Sequence, residues 1–286
     1  MPAQIISAVP VPFTEDGSLD LTEFESVLRT IDPHVDGVLV AGTTGEFPAL
    51  DDDERVELFR VAAEVLGAAR VVAHLGHGST RQVLRLAAAT ADLGISRFAL
   101  LSPYYLPTDD DGVVAFFRAL TEAFPQADVY AYLFPERTGM DVPVEVLRRV
   151  LALPGMVGVK LSGGAAARLT EYAAALQDGQ ELYSGDDATL PWVLEQGGTG
   201  VVSGVSSAFP ETFSTLARAL DAGDGEAAER AQASVKEVVG LTGPTIPRLK
   251  TAMAARTGAA WASRMALPAV DAELRGRIEA AVSQHG

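Results

Sequence analysis

Lys160 closes the apolar run Gly155-Met156-Val157-Gly158-Val159, and it is one of three lysines in a chain with 19 arginines. An ammonium at the end of a buried strand loses hydration, which lowers its pKa and frees the amine as a nucleophile. A neutral amine and a 2-keto acid give an imine. Loss of a proton from the adjacent carbon then gives an enamine, a carbon nucleophile at neutral pH. The alternative for Lys160 is a strand-end side chain snorkelling to solvent. Gly42-Thr43-Thr44-Gly45 is a glycine-bounded turn whose N–H groups suit a small carboxylate; taken alone it is equally a tight connection between strand and helix. Tyr104, Tyr105 and Tyr132, half of the six tyrosines, fall at strand ends. A phenol beside an imine shuttles protons, and a half-buried aromatic with a hydrogen-bonded tip is its ordinary role.

Two groups invite a metal reading and are better explained otherwise. Asp51-Asp52-Asp53 and Asp109-Asp110-Asp111 each begin a predicted helix, where capping and the helix dipole favour acids. His74 and His77 form an H-x-x-H pair without a third ligand, which favours structural or substrate-contacting roles. No metal and no cofactor are expected.

These residues need a scaffold that gathers them, and the apolar pattern supplies one. Apolar runs at residues 5–9, 37–41, 71–75, 98–101, 129–133, 156–160, 182–184 and 200–203 predict strands buried on both faces. Helical spacing follows each of them, at residues 21–31, 51–66, 80–93, 113–124, 144–151, 165–176, 188–195 and 211–222. Eight such pairs imply a parallel sheet closed into a (β/α)₈ barrel over residues 1–222. An open doubly wound sheet lacks support, since no glycine fingerprint follows the first strand. Helical stretches at 225–241, 246–257 and 269–283 predict a C-terminal extension, residues 223–286, packed on the barrel. In such a barrel the active site lies at the C-terminal ends of the strands. The turn after strand 2, Ser102-Pro103-Tyr104-Tyr105, Tyr132 with Arg137 beyond it, Lys160, Gly185-Asp186-Asp187 and Ser203-Gly204 all fall there.

The formal net charge of −16 disfavours nucleic acid and anionic lipid as partners, so an anionic substrate needs a local cation, for which Arg137 is the candidate. The absence of cysteine excludes disulfides and thiolate metal sites. The N-terminal residues lack the pattern of a signal peptide, and no apolar run has the length of a membrane span. A cytoplasmic protein is expected.

Taken in order and with their spacing, Gly42-Thr43-Thr44-Gly45-Glu46, Tyr132-Leu133-Phe134-Pro135-Glu136-Arg137-Thr138-Gly139 and Val157-Gly158-Val159-Lys160 resemble the dihydrodipicolinate synthase / N-acetylneuraminate lyase family of class I pyruvate-dependent aldolases. The resemblance spans essentially the whole chain. It implies that Lys160 forms the imine with pyruvate, that Tyr132 relays protons, and that Thr44 links Tyr132 to Tyr105. It implies that Tyr105 reaches across a dimer interface, that the Thr43 and Thr44 amides hold the keto-acid carboxylate, and that Val202 and Gly185 line the pocket. The usual assembly is a homotetramer. The Thr44, Tyr105, Tyr132 and Arg137 set looks most like the synthases, in which the matching arginine binds the carboxylate of aspartate semialdehyde or of the cyclic product.

Leu133-Phe134 before Pro135 and Leu161 after Lys160 depart from the synthase pattern. Glu46-Phe47-Pro48 and Lys160-Leu161-Ser162-Gly163-Gly164 are closer to the 4-hydroxy-2-oxoglutarate aldolases. The imine chemistry is thus implied with either partner, aspartate semialdehyde or another aldehyde; a non-catalytic ligand-binding barrel and a metal-dependent aldolase are the remaining alternatives. Phe47, Pro48, Arg55, Gly78 and Gln82 occupy the positions that hold lysine in feedback-inhibited synthases, so the resemblance implies no lysine feedback.

Overall fold

A computed structural model describes residues 2–243 and 245–286; Met1, part of the N-terminal stretch considered above, lies outside them. Eight parallel strands, β1 (Gln4–Ala8), β2 (Gly37–Val40), β3 (Val71–His74), β4 (Arg97–Leu101), β5 (Asp128–Leu133), β6 (Met156–Leu161), β7 (Glu181–Ser184) and β8 (Gly200–Ser203), pair in chain order. β8 returns to β1, which closes the barrel. Each strand ends within two residues of where its apolar run does, because both faces of a barrel strand are buried and the run itself marks the strand.

The helices are α1 (Leu21–Ile31), α2 (Asp52–Leu66), α3 (Thr80–Ala91), α4 (Asp110–Ala123), α5 (Pro135–Thr138), α6 (Val144–Leu151), α7 (Gly164–Ala167), α8 (Leu169–Ala173), α9 (Leu190–Glu195) and α10 (Pro210–Asp221). α11 (Gly225–Thr242), α12 (Ile246–Thr257) and α13 (Ala272–His285) follow the barrel. The acidic clusters cap helices: Asp51 forms a capping box with Glu54 at α2, and Asp109 accepts from the Gly112 amide at α4. The helix expected over 165–176 is instead two short ones. Arg168, at φ −104° and ψ 22°, leaves the helical range and separates α7 from α8. The brief α5 went unforeseen, since one turn opened by Pro135 is too short for a periodic signal. Among the described residues no helix is long and apolar enough to cross a membrane.

Between the helices and the sheet lies one large apolar core, and a second cluster fills the barrel: Ile6, Leu39, Val72, Ala99, Tyr130, Tyr183 and Val202 among its members. The N-terminal end of the barrel is closed by polar groups. Arg97 donates to the Tyr130 hydroxyl (2.7 Å), which donates to Glu181 (2.7 Å); Tyr183 donates to Gln4 (2.5 Å). That network leaves the opposite, C-terminal end for chemistry.

Candidate active site

Register places the central pair. Tyr132 on β5 lies opposite Lys160 on β6, and Leu101 on β4 opposite Tyr132. Lys160 is buried (7% exposed) and its Nζ lies 4.2 Å from the centre of the Tyr132 ring. The other two lysines differ from it. Lys236 is exposed on α11 and Lys250 is paired with Glu46, whereas Lys160 forms no ion pair among the described residues. Lys160 borders a small apolar cavity inside the barrel, with Val202, Ala99 and Leu39 on its walls. An amine in this position is held close to a phenol without an ion-pair partner among the described residues.

The Tyr132 hydroxyl meets Thr43 Oγ1 at 3.1 Å. Thr43 belongs to the turn after β2, tied by Gly45 N–H to Gly42 C=O (3.1 Å) and Glu46 N–H to Thr43 C=O (3.1 Å). Among the described residues the Thr43 and Thr44 amides donate to no acceptor of the chain, and both threonines are half-buried. The turn is flanked by two non-glycine residues in the left-handed region, Ala41 (φ 52°) and Glu46 (φ 57°). Such conformations cost about 1–3 kcal/mol each and persist where the surroundings impose them, often at functional sites. Two free amides, a phenol and an amine thus stand in one connected group, an arrangement that can receive an anion beside an amine and a hydroxyl able to pass a proton.

The remaining expected residues divide. Gly185 follows β7 at the same end of the barrel; its N–H donates to Leu161 C=O (2.6 Å), and a Cβ there would stand 2.2 Å from Ser162 Oγ, so a larger residue would force the Ser162 side chain to shift. Val202 is buried beside Lys160. Arg137 is exposed on α5, and its guanidinium stacks over the Phe134 ring at 5.4 Å, with that ring 6.2 Å from Tyr132. Thr44 is not the tyrosine's partner within the chain. Its side chain turns to β8, where a Cβ on Gly204 would approach Thr44 Cγ2 to 3.2 Å. Tyr105 does not join the group within one chain; it is 89% exposed at φ 76°, beside Leu106 at 72%. The strained turn throws its ring away from its own barrel.

The two histidines part company. His77 pairs with Asp52 (2.7 Å) on the outside. His74 is fully buried, 4.6 Å from Phe47 and 5.9 Å from Tyr132 between ring centres. Burial, with the Arg55 and Lys160 charges, holds its pKa well below the ordinary imidazole value, so it is neutral at neutral pH. Both histidines carry sequence signals but no sequence-level reason for this difference.

Asp187, in the loop after β7, received no role from its sequence. It is buried and accepts from the Val205 amide (3.4 Å). Burial pushes its carboxyl up to about 6, against the opposing hydrogen bonds from Ser203 and Val205. An acid whose folded pKa is raised keeps its proton while the unfolded chain loses it, so stability falls as pH rises from about 4 to about 6. Asp187→Asn is therefore expected to flatten that stretch of the stability profile and to stabilise the protein at pH 7 by about 3 kcal/mol. Chemical denaturation at pH 4, 5, 6 and 7 checks this; parallel profiles for variant and parent would contradict it.

Fold and site together define a (β/α)₈ lyase of the lysine-imine class. Residues 1–285 match the model of the dihydrodipicolinate synthetase family. A 4-hydroxy-tetrahydrodipicolinate synthase from Cyanothece sp. is 32% identical over 229 residues, covering 79% of this chain and 78% of the relative. The solved structure of the 4-hydroxy-tetrahydrodipicolinate synthase from Methylacidiphilum fumariolicum SolV superposes with a TM-score of 0.89 at 27% identity, covering 100% of this chain and 96% of that one. The enzyme from Cyanidioschyzon merolae, solved with lysine bound, gives a TM-score of 0.89 at 28% identity over 99% and 98% of the two chains. The chain belongs to the dihydrodipicolinate synthetase family.

Proposed function

We propose that this protein condenses pyruvate with aspartate semialdehyde, the reaction of a 4-hydroxy-tetrahydrodipicolinate synthase, through an imine on Lys160. The observation that carries the reading is the connected group of Lys160, Tyr132 and Thr43 set against two unpaired amides. The Thr43 and Thr44 amides receive the pyruvate carboxylate. The Lys160 amine attacks C2, water leaves, and loss of a C3 proton gives the enamine, which attacks the aldehyde carbon. Tyr132 carries the protons between these steps, with Thr43 orienting its hydroxyl. No cofactor enters the scheme.

The second reading keeps the imine and changes the aldehyde. Phe134 packed beside Tyr132 and under Arg137 gives the entrance an apolar wall, which suits a different acceptor. Borohydride reduction in the presence of pyruvate tests the shared chemistry: one pyruvate-derived adduct per chain on Lys160 is the expected mass. Coupled assays with each aldehyde then decide between the readings. In the first, Arg137 binds the second carboxylate, so Arg137→Ala is expected to raise the KM for aspartate semialdehyde by about 10- to 100-fold, the loss of one charge-assisted pair. An unchanged KM would remove Arg137 from that role.

The reading includes a homotetramer built as a dimer of dimers. Support comes from Tyr105 and Leu106, two large apolar side chains left in solvent on a strained turn. A second copy that covers them would bring Tyr105 to its neighbour's Thr44. The protein is proposed to work in the cytoplasm, which suits a chain without cysteine. Lysine feedback is absent from the reading: Arg55 is buried under Phe47 with its guanidinium bonded to backbone carbonyls of His74 and Gly76.

A further inference from the structure

Glu46, the last residue of the turn that carries Thr43 and Thr44, is completely buried, and so nearly is Lys250 on α12 (0% and 2% exposed). Lys250 Nζ donates to Glu46 Oε1 at 2.5 Å and to the Ala262 carbonyl at 2.7 Å. The second carboxylate oxygen of Glu46 accepts from the backbone amides of Arg264 (3.0 Å) and Met265 (2.9 Å). Arg264 in turn forks onto Glu54 near the start of α2, at 2.6 Å to each oxygen, and donates to the Ala49 carbonyl at 3.0 Å. Every bond from the segment after β2 in this set runs to α12 or to the stretch behind it. None of these groups faces Lys160, and the imine chemistry uses none of them.

Taking two charges out of water costs about as much as their attraction returns, so a buried pair is weak as a source of net stability. What a directed pair supplies is position. Glu46 sits at φ 57°, a conformation that a glutamate leaves unless its side chain is held. Fixing it fixes the end of the turn, whose Glu46 N–H bonds back to the Thr43 carbonyl (3.1 Å), and with it the Thr43 and Thr44 amides three and two residues before. We propose that the Glu46–Lys250 pair is a positioning device, through which the C-terminal helices hold the Thr43–Thr44 amides in the shape that receives a keto-acid carboxylate.

This inference rests on the reading of those amides as the carboxylate receptor, and it specifies which substrates feel the device. Carbonyl compounds with a carboxylate should depend on it, and a neutral ketone should not. The test is borohydride trapping on Lys160 in the full-length protein with pyruvate and, separately, with acetone. In Lys250→Met the pyruvate concentration for half-maximal trapping is expected to rise by about tenfold or more, the loss of about one well-aimed charge-assisted bond, while that for acetone stays as in the parent. Because Lys250→Met leaves an unpaired carboxylate in the core, E46Q/K250M, which removes both charges together, is measured in parallel and is expected to fold and show the same selective loss. Unchanged trapping of pyruvate in a folded variant, or equal losses for pyruvate and acetone, would overturn the proposal. Failure of the parent protein to trap pyruvate at all would instead bring down the imine reading, and this inference with it.

Discussion

Lys160→Ala is expected to give no reduced adduct with pyruvate and to lower turnover by about 10⁴-fold or more, the scale on which enzymes respond to loss of the group that forms their covalent intermediate. The expectation follows from the differing surroundings of the three lysines. Lys236 is exposed on α11, away from the barrel interior. Lys250 is committed to Glu46 and the Ala262 carbonyl. Lys160 alone among them borders the barrel interior, beside a phenol. Truncation to alanine removes a side chain that makes no ion pair among the described residues, so the fold should survive, and circular dichroism would show it. Intact mass after borohydride treatment is the measurement. An adduct of the same mass in the variant would move the nucleophile elsewhere.

Tyr132→Phe is expected to separate imine formation from proton transfer. The ring keeps its place, since it is 1% exposed and packed among Phe47, Leu101 and His74. The hydroxyl and its bond to Thr43 are lost. General acid–base groups contribute about 10²- to 10⁴-fold, so turnover should fall within that range, while trapping on Lys160 still reaches one adduct per chain at long times. Exchange of the C3 protons of pyruvate with deuterated water, followed by NMR, should slow to the same degree. Thr43→Val would probe the same bond from the other side and is expected to fall short of Tyr132→Phe, because the phenol itself remains. If exchange ran at the parent rate in Tyr132→Phe, the proton carrier would have to be sought among other groups of the site.

Both expectations were legible in the chain because they depend on strand ends. Lys160 and Tyr132 each stand within one residue of the end of an apolar run, and parallel strands in a barrel present their last residues at one mouth. The pairing of β5 with β6 then sets the two side by side. The helix starts were legible for the same local reason: Asp51 and Asp109 cap the turns they precede. These features are fixed by groups a few residues apart, and such groups meet in any compact arrangement of the chain.

Other features depend on backbone geometry that no periodicity records. That Thr43, rather than Thr44, reaches Tyr132 follows from left-handed residues on both sides of the turn. Neither Ala41 nor Glu46 belongs to a type that announces such a conformation. The same holds for Arg168, where the seventh and eighth helices part.

The amino-acid sequence by itself determined the eight alternating elements, the barrel they build and the lysine and tyrosine that share one of its mouths, because period, burial and capping are local properties. Only the tertiary structure decided what lies behind them. Glu46 meets Lys250 across 204 residues of chain, and Tyr183 meets Gln4 across 179. His74 acquires its burial from neighbours on another strand, and Asp187 from the segment that follows β8. Pairs so distant have no local signature, since each partner alone reads as an ordinary polar residue. Closure of the barrel and docking of the last helices bring them into contact, and desolvation at that moment gives them their chemical character.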